Sequence, residues 1–223
     1  MWQLLQYPLC PFSRKVRLVL AEKGEAFELV RENPWERRDE FIDVNPAGQT
    51  PVLVRADRDV TLSDSVAICE YFEETIDKAP LIAGTAAERA ETRRLIAWFD
   101  QKCYAELTLP LLNERMFKRI IQRAAPDAGT LREAIKAANN HLDYIEYLLD
   151  HRRWLSGPAF GLADIAAAAQ ISVADYLGGI DWRGHGQAVQ WYSALKSRPS
   201  FRPLLAERME VISPPAHYDK LDF

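Results

Sequence analysis

The segment WQLLQYPLCPFSRKVRLVLAEK, residues 2–23, joins an apolar strand-like run to a helix-like run whose apolar residues recur on one face. Pro11 suits the first turn of this helix, which makes Cys10 its N-cap. A thiol at that position faces unpaired backbone N–H groups and the positive end of the helix dipole, and both favour the thiolate. A small buried residue at a tight turn fits the same pattern, so the position leaves its chemistry open. Three basic residues fall off the apolar face: Arg14, Lys15 and Arg17.

Residues 1–77 alternate strand-like and helix-like runs, which predicts a small α/β domain with a mixed sheet. The charged turn at 56–59 joins the last two strand-like runs as a hairpin. Between residues 31 and 50 the pattern is irregular. The predicted strands lie near 2–6, 27–30, 51–55 and 60–62, and the predicted helices near 11–23 and 64–76.

Residues 78–85, KAPLIAGT, are typical of a linker, and beyond them almost every run has helical spacing. This pattern predicts an all-helical domain over 86–208 and a tail over 209–223. Two Thr-x-x-Glu patterns, starting at Thr85 and Thr130, are typical of capping boxes at helix starts. The predicted helices span 85–123 with an interruption at Pro110, 130–152, 162–177, 187–196 and 201–207.

A net charge of −4 on 223 residues gives no electrostatic support for general binding to nucleic acid or to membrane surfaces. No apolar run approaches the roughly 18 residues that a membrane-spanning helix needs, and the first residues lack a signal-peptide pattern. The expected compartment is the reducing cytoplasm. Three cysteines and four scattered histidines show no disulfide or metal-ligand spacing, so no metal is predicted. Cys69 and Cys103 fall inside helical runs and are expected to be inert.

Three motifs together resemble the glutathione S-transferase superfamily, and the resemblance covers almost the whole chain. They are CPFSRKVRL at 10–18, NPAGQTPVL at 45–53 and LSDSVAI at 62–68. The first is similar to the opening of cysteine-type and omega-like members. The resemblance implies an N-terminal thioredoxin-like domain, a helical C-terminal domain, and glutathione as cosubstrate or vestigial ligand. It also implies a two-fold homodimer.

A glutathione pocket is the next implication of this resemblance. In the family the proline of the second motif is cis, which here places a cis bond at Thr50–Pro51 and exposes the Thr50 backbone to the cysteinyl part of glutathione. Gln49 matches a position that relatives use for the glycyl carboxylate. Asp64 and Ser65 match the helix start that holds the γ-glutamyl end, with Asp64 meeting its ammonium. Capping of a helix by residues Ser63 to Ser65 is the alternative interpretation.

The expected chemistry of a reactive Cys10 is thiol–disulfide exchange with glutathione mixed disulfides. Ser13 stands where a C-x-x-C motif has its resolving cysteine, so a one-thiol mechanism is expected. Tyr7 is the second catalytic candidate, because tyrosine-type relatives keep at this strand end a hydroxyl that stabilises the glutathione thiolate. A core aromatic is the alternative for Tyr7, and its strand context favours that alternative.

Several segments outside the pocket motifs mix charges with large apolar groups, as partner-binding surfaces do. They are PWERR at 34–38, WFD at 98–100, the helix-like run 111–119, the basic run 196–208 and the tail PPAHYDKLDF at 214–223. Together they resemble one bacterial group of the superfamily, the FtsZ-localized protein A group. The residues expected to contact a partner are Trp35, as an exposed anchor, Glu114, Lys118, Asp222 and Phe223.

This second resemblance implies a cytoplasmic division factor that associates with filaments of FtsZ and need not turn over glutathione. The favoured interpretation is the binding role, with a glutathione pocket that is intact or nearly so. A cysteine-type glutathione transferase, or a glutathione-dependent thiol transferase acting through Cys10, is the alternative. The tail at 214–223 has enough apolar surface to dock on a partner or to pack over the cleft between the two domains; the remaining alternative is a frayed end.

Overall fold

Two units, Met1–Leu81 and Ile82–Phe223, make up the chain in a computed structural model that describes residues 1–55, 57 and 60–221. The division between the units falls inside the linker-like segment 78–85. None of the helices in the described ranges is both long and apolar enough to cross a membrane.

A mixed sheet is the centre of the first unit. Its described elements are β1 (Trp2–Gln6), α1 (Pro11–Lys23), β2 (Phe27–Arg31), α2 (Asp39–Val44), β3 (Val52–Arg55), β4 (Thr61–Ser63) and α3 (Ser65–Thr75). The strand order is β2-β1-β3-β4, with β1 parallel to β2 and β3 antiparallel to both β1 and β4. This order confirms the predicted mixed sheet. In the turn predicted at 56–59, Ala56, Arg58 and Asp59 lie outside the described residues.

Helix α2 lies in the stretch 31–50, where the sequence pattern is irregular. Its six residues, DEFIDV, bury only Phe41. A 3-10 turn at Pro34–Glu36 precedes it. A helix of less than two turns with one buried side chain leaves no apolar periodicity to detect, so the sequence does not predict it.

Helix α1 begins and ends where its sequence indicates. Cys10 is the N-cap, and Gly24 ends the helix with a φ of +76° that favours glycine. The three basic residues off its apolar face are nevertheless buried, because their long stems pack inside while their polar heads find partners there. Arg14, for example, donates from Nε to the carbonyl oxygen of Pro8 at 2.9 Å.

The described part of the second unit is built from helices. They are α4 (Ala86–Ala97), α5 (Leu109–Leu112), α6 (Ala128–Leu149), α7 (Leu162–Tyr176), α8 (Gly186–Lys196) and α9 (Arg202–Ala206). Two π-helical stretches, Trp98–Thr108 and Asn113–Gln122, connect and extend α4 and α5 into one long run. The predicted interruption at Pro110 therefore becomes a change of helix type beside a residue that lacks an N–H donor. Every residue of α7 is buried, so α7 is the central helix of this unit.

One of the two predicted capping boxes is confirmed and the other is wrong. Thr85 Oγ1 accepts from the Glu88 N–H at 3.3 Å, and the Glu88 carboxylate accepts from the Thr85 N–H at 2.7 Å. Helix α6 does not start at Thr130; Asp127 is its N-cap and accepts from the Thr130 N–H at 2.7 Å. A carboxylate at the positive end of the helix dipole displaces the weaker hydroxyl cap predicted at Thr130.

Asp164 holds the start of α7 in place. Its carboxylate accepts from the Leu155 N–H at 3.0 Å, the Gly161 N–H at 3.1 Å and the Trp191 indole N–H at 3.0 Å. Burial raises the pKa of Asp164 to about 6, although these donors oppose the shift. The three hydrogen bonds join the loop before α7 to α8, which makes Asp164 a structural residue.

Candidate functional site

The sheet brings the three sequence motifs of the first unit to one edge. Leu5 near the end of β1 pairs with Val52 at the start of β3, and Val52 pairs with Ser63 at the end of β4. The segments after β1, before β3 and after β4 therefore leave the sheet side by side. Helices α1 and α3 both begin at this edge, so two positive helix ends lie there.

Cys10 lies at the N-terminus of α1 and is partly exposed. Its Sγ accepts from the Ser13 N–H at 3.4 Å. The same Sγ lies 3.4 Å from the Thr50 carbonyl oxygen, to which the thiol donates. These two contacts hold the thiol between the start of α1 and the loop before β3.

The surroundings of Cys10 offer no second thiol. Ser13, at the place of a resolving cysteine, is fully buried. Cys69 and Cys103 are buried in other elements, and burial raises the pKa of the Cys103 thiol. Any thiol chemistry at this edge would have to pass through Cys10 by itself.

The Thr50–Pro51 peptide bond is cis, as the resemblance implies. Asn45 braces the loop before it, donating from Nδ2 to the Gln49 carbonyl oxygen at 2.8 Å. Gly48 takes a φ of +63° and donates to the Asn45 carbonyl oxygen at 2.8 Å. Thr50 is buried, whereas Gln49 is exposed. The bracing by Asn45 is a feature that the sequence reading missed, although the Asn-Pro-x-Gly pattern signals such a turn.

Asp64 caps α3 and keeps part of its carboxylate unused. Its Oδ1 accepts from the Val66 and Ala67 N–H groups at 2.7 and 3.1 Å, so the capping interpretation holds. Its Oδ2 makes no hydrogen bond to a described residue. Asp64 also has a φ of +74°, a costly conformation for a residue other than glycine. Ser65 follows as the buried first residue of the helix. A ligand ammonium can therefore meet Oδ2 without disturbing the cap.

Tyr7 is buried, and its ring packs edge-on against Trp35 with the ring centres 4.9 Å apart. The guanidinium of Arg31 lies 5.9 Å from the Tyr7 ring centre. This environment favours the core-aromatic interpretation of Tyr7 over the catalytic one. Trp35 is half-buried by the same packing, so part of the side chain predicted as an exposed anchor is covered.

Of the proposed partner-binding pair on the long helix, Glu114 is engaged inside the fold. Its carboxylate accepts from Lys118 Nζ at 2.7 Å and from the Asp127 N–H at 2.6 Å. These bonds lower the pKa of Glu114 and close the loop before α6. Lys118 is partly exposed, so it is the member of the pair with surface for a partner.

The tail is held against the second unit as far as it is described. Tyr218 is fully buried, and its ring packs edge-on against Tyr176 with centres 5.1 Å apart. Buried Lys196 donates to the Lys220 carbonyl oxygen at 2.7 Å, and His217 Nε2 lies 2.8 Å from the buried Asp175 carboxylate. The tail is therefore not frayed over these residues. The two partner-binding residues predicted at the end of the tail lie outside the described residues: Asp222 and Phe223.

The chemistry of the edge formed by Cys10, Thr50, Pro51 and Asp64 fits a short acidic peptide such as glutathione. Two helix N-termini suit carboxylates, the backbone beside the cis proline suits an extended peptide, and Asp64 suits an ammonium. Among the described residues, no cluster of three side chains could hold a metal ion.

Both units match family models of known proteins. Residues 9–75 match the model for the glutathione S-transferase N-terminal domain, and residues 114–194 match that for the C-terminal domain. The chain is similar to FtsZ-localized protein A of Caulobacter vibrioides, with 47% identity over 99% of this chain and 97% of that protein. Its structure is similar to a glutathione S-transferase from Rhodospirillum rubrum, with 48% identity, a TM-score of 0.97 and full coverage of both chains. The structure of FzlA from C. crescentus gives 46% identity and a TM-score of 0.96, covering 100% of this chain and 99% of that one.

Proposed function

The chain belongs to the glutathione S-transferase family and, within it, to the group of FtsZ-localized protein A, and from this premise we propose that it is a division factor that binds FtsZ filaments. The observation that carries the proposal is 47% identity over 99% of the chain to a protein named for its localization with FtsZ. The aligned length of 222 residues covers the tail as well as both units. The binding role does not require turnover of glutathione.

The partner surface of this proposal combines Lys118 with the tail. Lys118 is partly exposed on the long helix, and the tail is anchored through Tyr218. An anchored tail loses less conformational entropy on binding than a frayed one, which supports its use as a contact surface. Asp222 and Phe223, which lie outside the described residues, belong to the same proposed surface. Half-buried Trp35 of the first unit is a separate candidate contact.

Co-sedimentation with FtsZ polymers tests the proposal directly. The full chain is expected to pellet with polymers and to stay in the supernatant without them. Deletion of residues 222–223 and the Lys118→Glu variant are each expected to reduce the pelleted fraction severalfold. Lys136→Glu, a charge reversal at an exposed position of α6, is the matched control and should pellet like the parent. Failure of the parent chain to pellet with polymers would overturn the proposal.

The cytoplasm and a two-fold homodimer belong to the same proposal. The three cysteines, all in described segments, are thiols, as expected in a reducing compartment. Sedimentation equilibrium of the full chain tests the dimer, and a mass equal to one chain would contradict it.

A second candidate function rests on Cys10 at the N-cap beside the cis Thr50–Pro51 bond. The Cys10 thiolate would attack the glutathione sulfur of a mixed disulfide, and the other sulfur would leave as a thiolate that takes a proton. A second glutathione thiolate would then attack the new Cys10 disulfide, which restores Cys10 and releases glutathione disulfide. Gln49, Asp64 and Ser65 would hold the peptide in both steps.

Calorimetry with glutathione and a turnover assay with a small mixed disulfide separate the two functions. If the transferase function is right, Cys10→Ser abolishes turnover and Asp64→Ala weakens glutathione binding. Tyr7→Phe should leave turnover unchanged, since Tyr7 packs as a core aromatic. Co-sedimentation without glutathione binding would reject the transferase function; Cys10-dependent turnover without co-sedimentation would reject the division role.

A further inference from the structure

A cavity of about 500 Å³ lies in the second unit, and all of its lining residues belong to that unit. Its walls come from the π-helical stretch Asn113–Gln122, the end of α7 and the tail residues 212–215. Cavities of this size hold small organic molecules. None of the motifs that define the family lies in it.

Arg115 lines this cavity as a half-buried cation without an acidic partner. It donates from Nη1 to the Leu177 carbonyl oxygen at the end of α7, and it pairs with no carboxylate among the described residues. Burial accordingly lowers the pKa of Arg115. Gly178 permits the close approach, because a Cβ there would lie 2.9 Å from Nη1 and its φ is +69°. The rest of the guanidinium fork is left for another acceptor.

The other charges of the lining leave the cavity positive. Arg119, one helical turn beyond Arg115, is exposed and forms no ion pair with a described residue. Glu114 also lines the cavity, but its carboxylate is already bonded to Lys118 and to the Asp127 N–H. Among the described lining residues, the two arginines therefore stand beside one acid, Glu114, whose charge is neutralised within the fold.

A second part of the cavity wall is largely apolar. It includes Ile212, Pro214 and Pro215 of the tail and Pro126 from the loop before α6. Tyr176 fixes this wall, since its hydroxyl donates to the Ile212 carbonyl oxygen at 2.9 Å and accepts from the Met209 N–H at 2.8 Å. A ligand that matches this lining has an anionic head and an apolar body.

We propose that the cavity binds a small organic anion, whose carboxylate or phosphate head is held by Arg115 and Arg119 and whose apolar body lies against the proline-rich tail wall. Guanidinium groups bind both heads in bidentate geometry. Because tail residues form one wall, a bound anion also holds the tail in its docked position. The lining shares the long helix and the tail with the proposed FtsZ surface but contains no residue of the glutathione-type motifs.

Calorimetric titration of the full chain with phenyl phosphate and with phenylacetate tests the site. At least one of the two is expected to bind saturably with a dissociation constant of about 1 mM or lower, and the stronger binder identifies the preferred head. Phenylacetamide has a similar body without the charge and should not bind. Inorganic phosphate, which has no apolar body, should bind more weakly than phenyl phosphate.

Variants assign any binding to the two arginines. Arg119→Gln changes an exposed side chain and is expected to raise the dissociation constant about tenfold without affecting the fold. Arg115→Gln should weaken binding at least as much, and Arg115→Lys should restore less than the parent affinity. Arg132→Gln, an exposed position of α6 outside the lining, is the matched control. Bound anion should also slow hydrogen exchange of the tail amides.

Two results would overturn the site. The first is the absence of saturable binding of both phenyl phosphate and phenylacetate. The second is binding that Arg119→Gln leaves unchanged, which would place the anion elsewhere even if Arg115→Gln failed to fold. Neither result bears on co-sedimentation with FtsZ, so the two proposals fail separately.

Discussion

Tyr218 anchors the tail, and replacing it with alanine should release the tail from the second unit. The side chain is fully buried, its hydroxyl donates to the Leu204 carbonyl oxygen at 3.3 Å, and its ring packs edge-on against Tyr176. Truncation of a buried aromatic ring costs about 3–5 kcal/mol, to which the lost hydrogen bond and ring contact contribute. Because the tail lies outside the helices and follows α9, it can detach without unfolding α7.

The loss of stability is therefore confined to the tail, and hydrogen exchange of the tail amides is the assay that measures it. The Tyr218 N–H donates to the Pro215 carbonyl oxygen at 3.0 Å, and the Lys220 N–H to that of His217 at 3.1 Å. A loss of about 4 kcal/mol corresponds to an acceleration of about a thousandfold in the exchange of these amides. A smaller acceleration is expected only if the tail amides first reach the exchange rate of an unstructured peptide.

Two control variants distinguish the contribution of the ring from that of the hydroxyl and from a non-specific effect of substitution. Tyr218→Phe keeps the ring and loses the bond to Leu204, so an acceleration of at most about tenfold is expected. Tyr147→Ala removes a ring that is 65% exposed on α6 and should leave tail exchange unchanged. Tail exchange in Tyr218→Ala within about threefold of the parent rate would refute the anchoring of the tail through this residue.

Three further predictions concern other parts of the chain. Gln170 is fully buried in α7 and its side-chain amide has no hydrogen-bond partner among the described residues, so Gln170→Leu should stabilise the protein by about 1–2 kcal/mol in urea unfolding; destabilisation would mean that the amide is satisfied. Hydrogen bonds from two arginines lower the pKa of Glu91 to about 2, so the stability that Glu91 contributes is fully present above about pH 4.5 and lost as the pH falls towards 2. The stability difference between the parent and Glu91→Gln should therefore shrink by about 1–2 kcal/mol over that range, after allowance for partial exposure, and a constant difference would contradict the pairing. Cys10 should be the thiol that a bulky alkylating reagent labels in the native protein, with the two buried cysteines labelled after unfolding; equal labelling of all three in the native state would contradict the observed burial.

Local signals in the sequence correctly predict most helix starts of this protein. Cys10-Pro11 and the Thr85–Glu88 capping box lie where the sequence predicts, since each depends on residues within one turn. The prediction fails at Thr130, where Asp127 outcompetes a weaker cap, and at α2, which is too short for a periodic pattern. The cis Thr50–Pro51 bond follows from the family resemblance and not from any local rule.

In the candidate sites, too, local features are predicted from the sequence and long-range contacts are not. Asp64 illustrates the division: its motif predicts both a cap and a ligand contact, and the structure gives Oδ1 to the cap while leaving Oδ2 without a partner among the described residues. For Trp35 and Glu114 the sequence predicts surface roles, whereas Trp35 packs partly against Tyr7 and the Glu114 carboxylate accepts from the Asp127 N–H. A residue's own neighbours in sequence carry no information about such contacts.

The sequence by itself determined the order of the strands and helices other than α2 and the division into an α/β part and a helical part, because caps, proline positions and apolar periodicity act over a few residues. The family followed from the resemblance of three motifs. Only the tertiary structure decided that the tail docks, that Lys196 holds Lys220, and that Arg115 and Arg119 face a cavity completed by residues 212–215. These contacts join residues far apart in the chain, and their energies depend on burial and on which acid is already paired. The burial of a group and the pairing of an acid are defined only once the chain has folded.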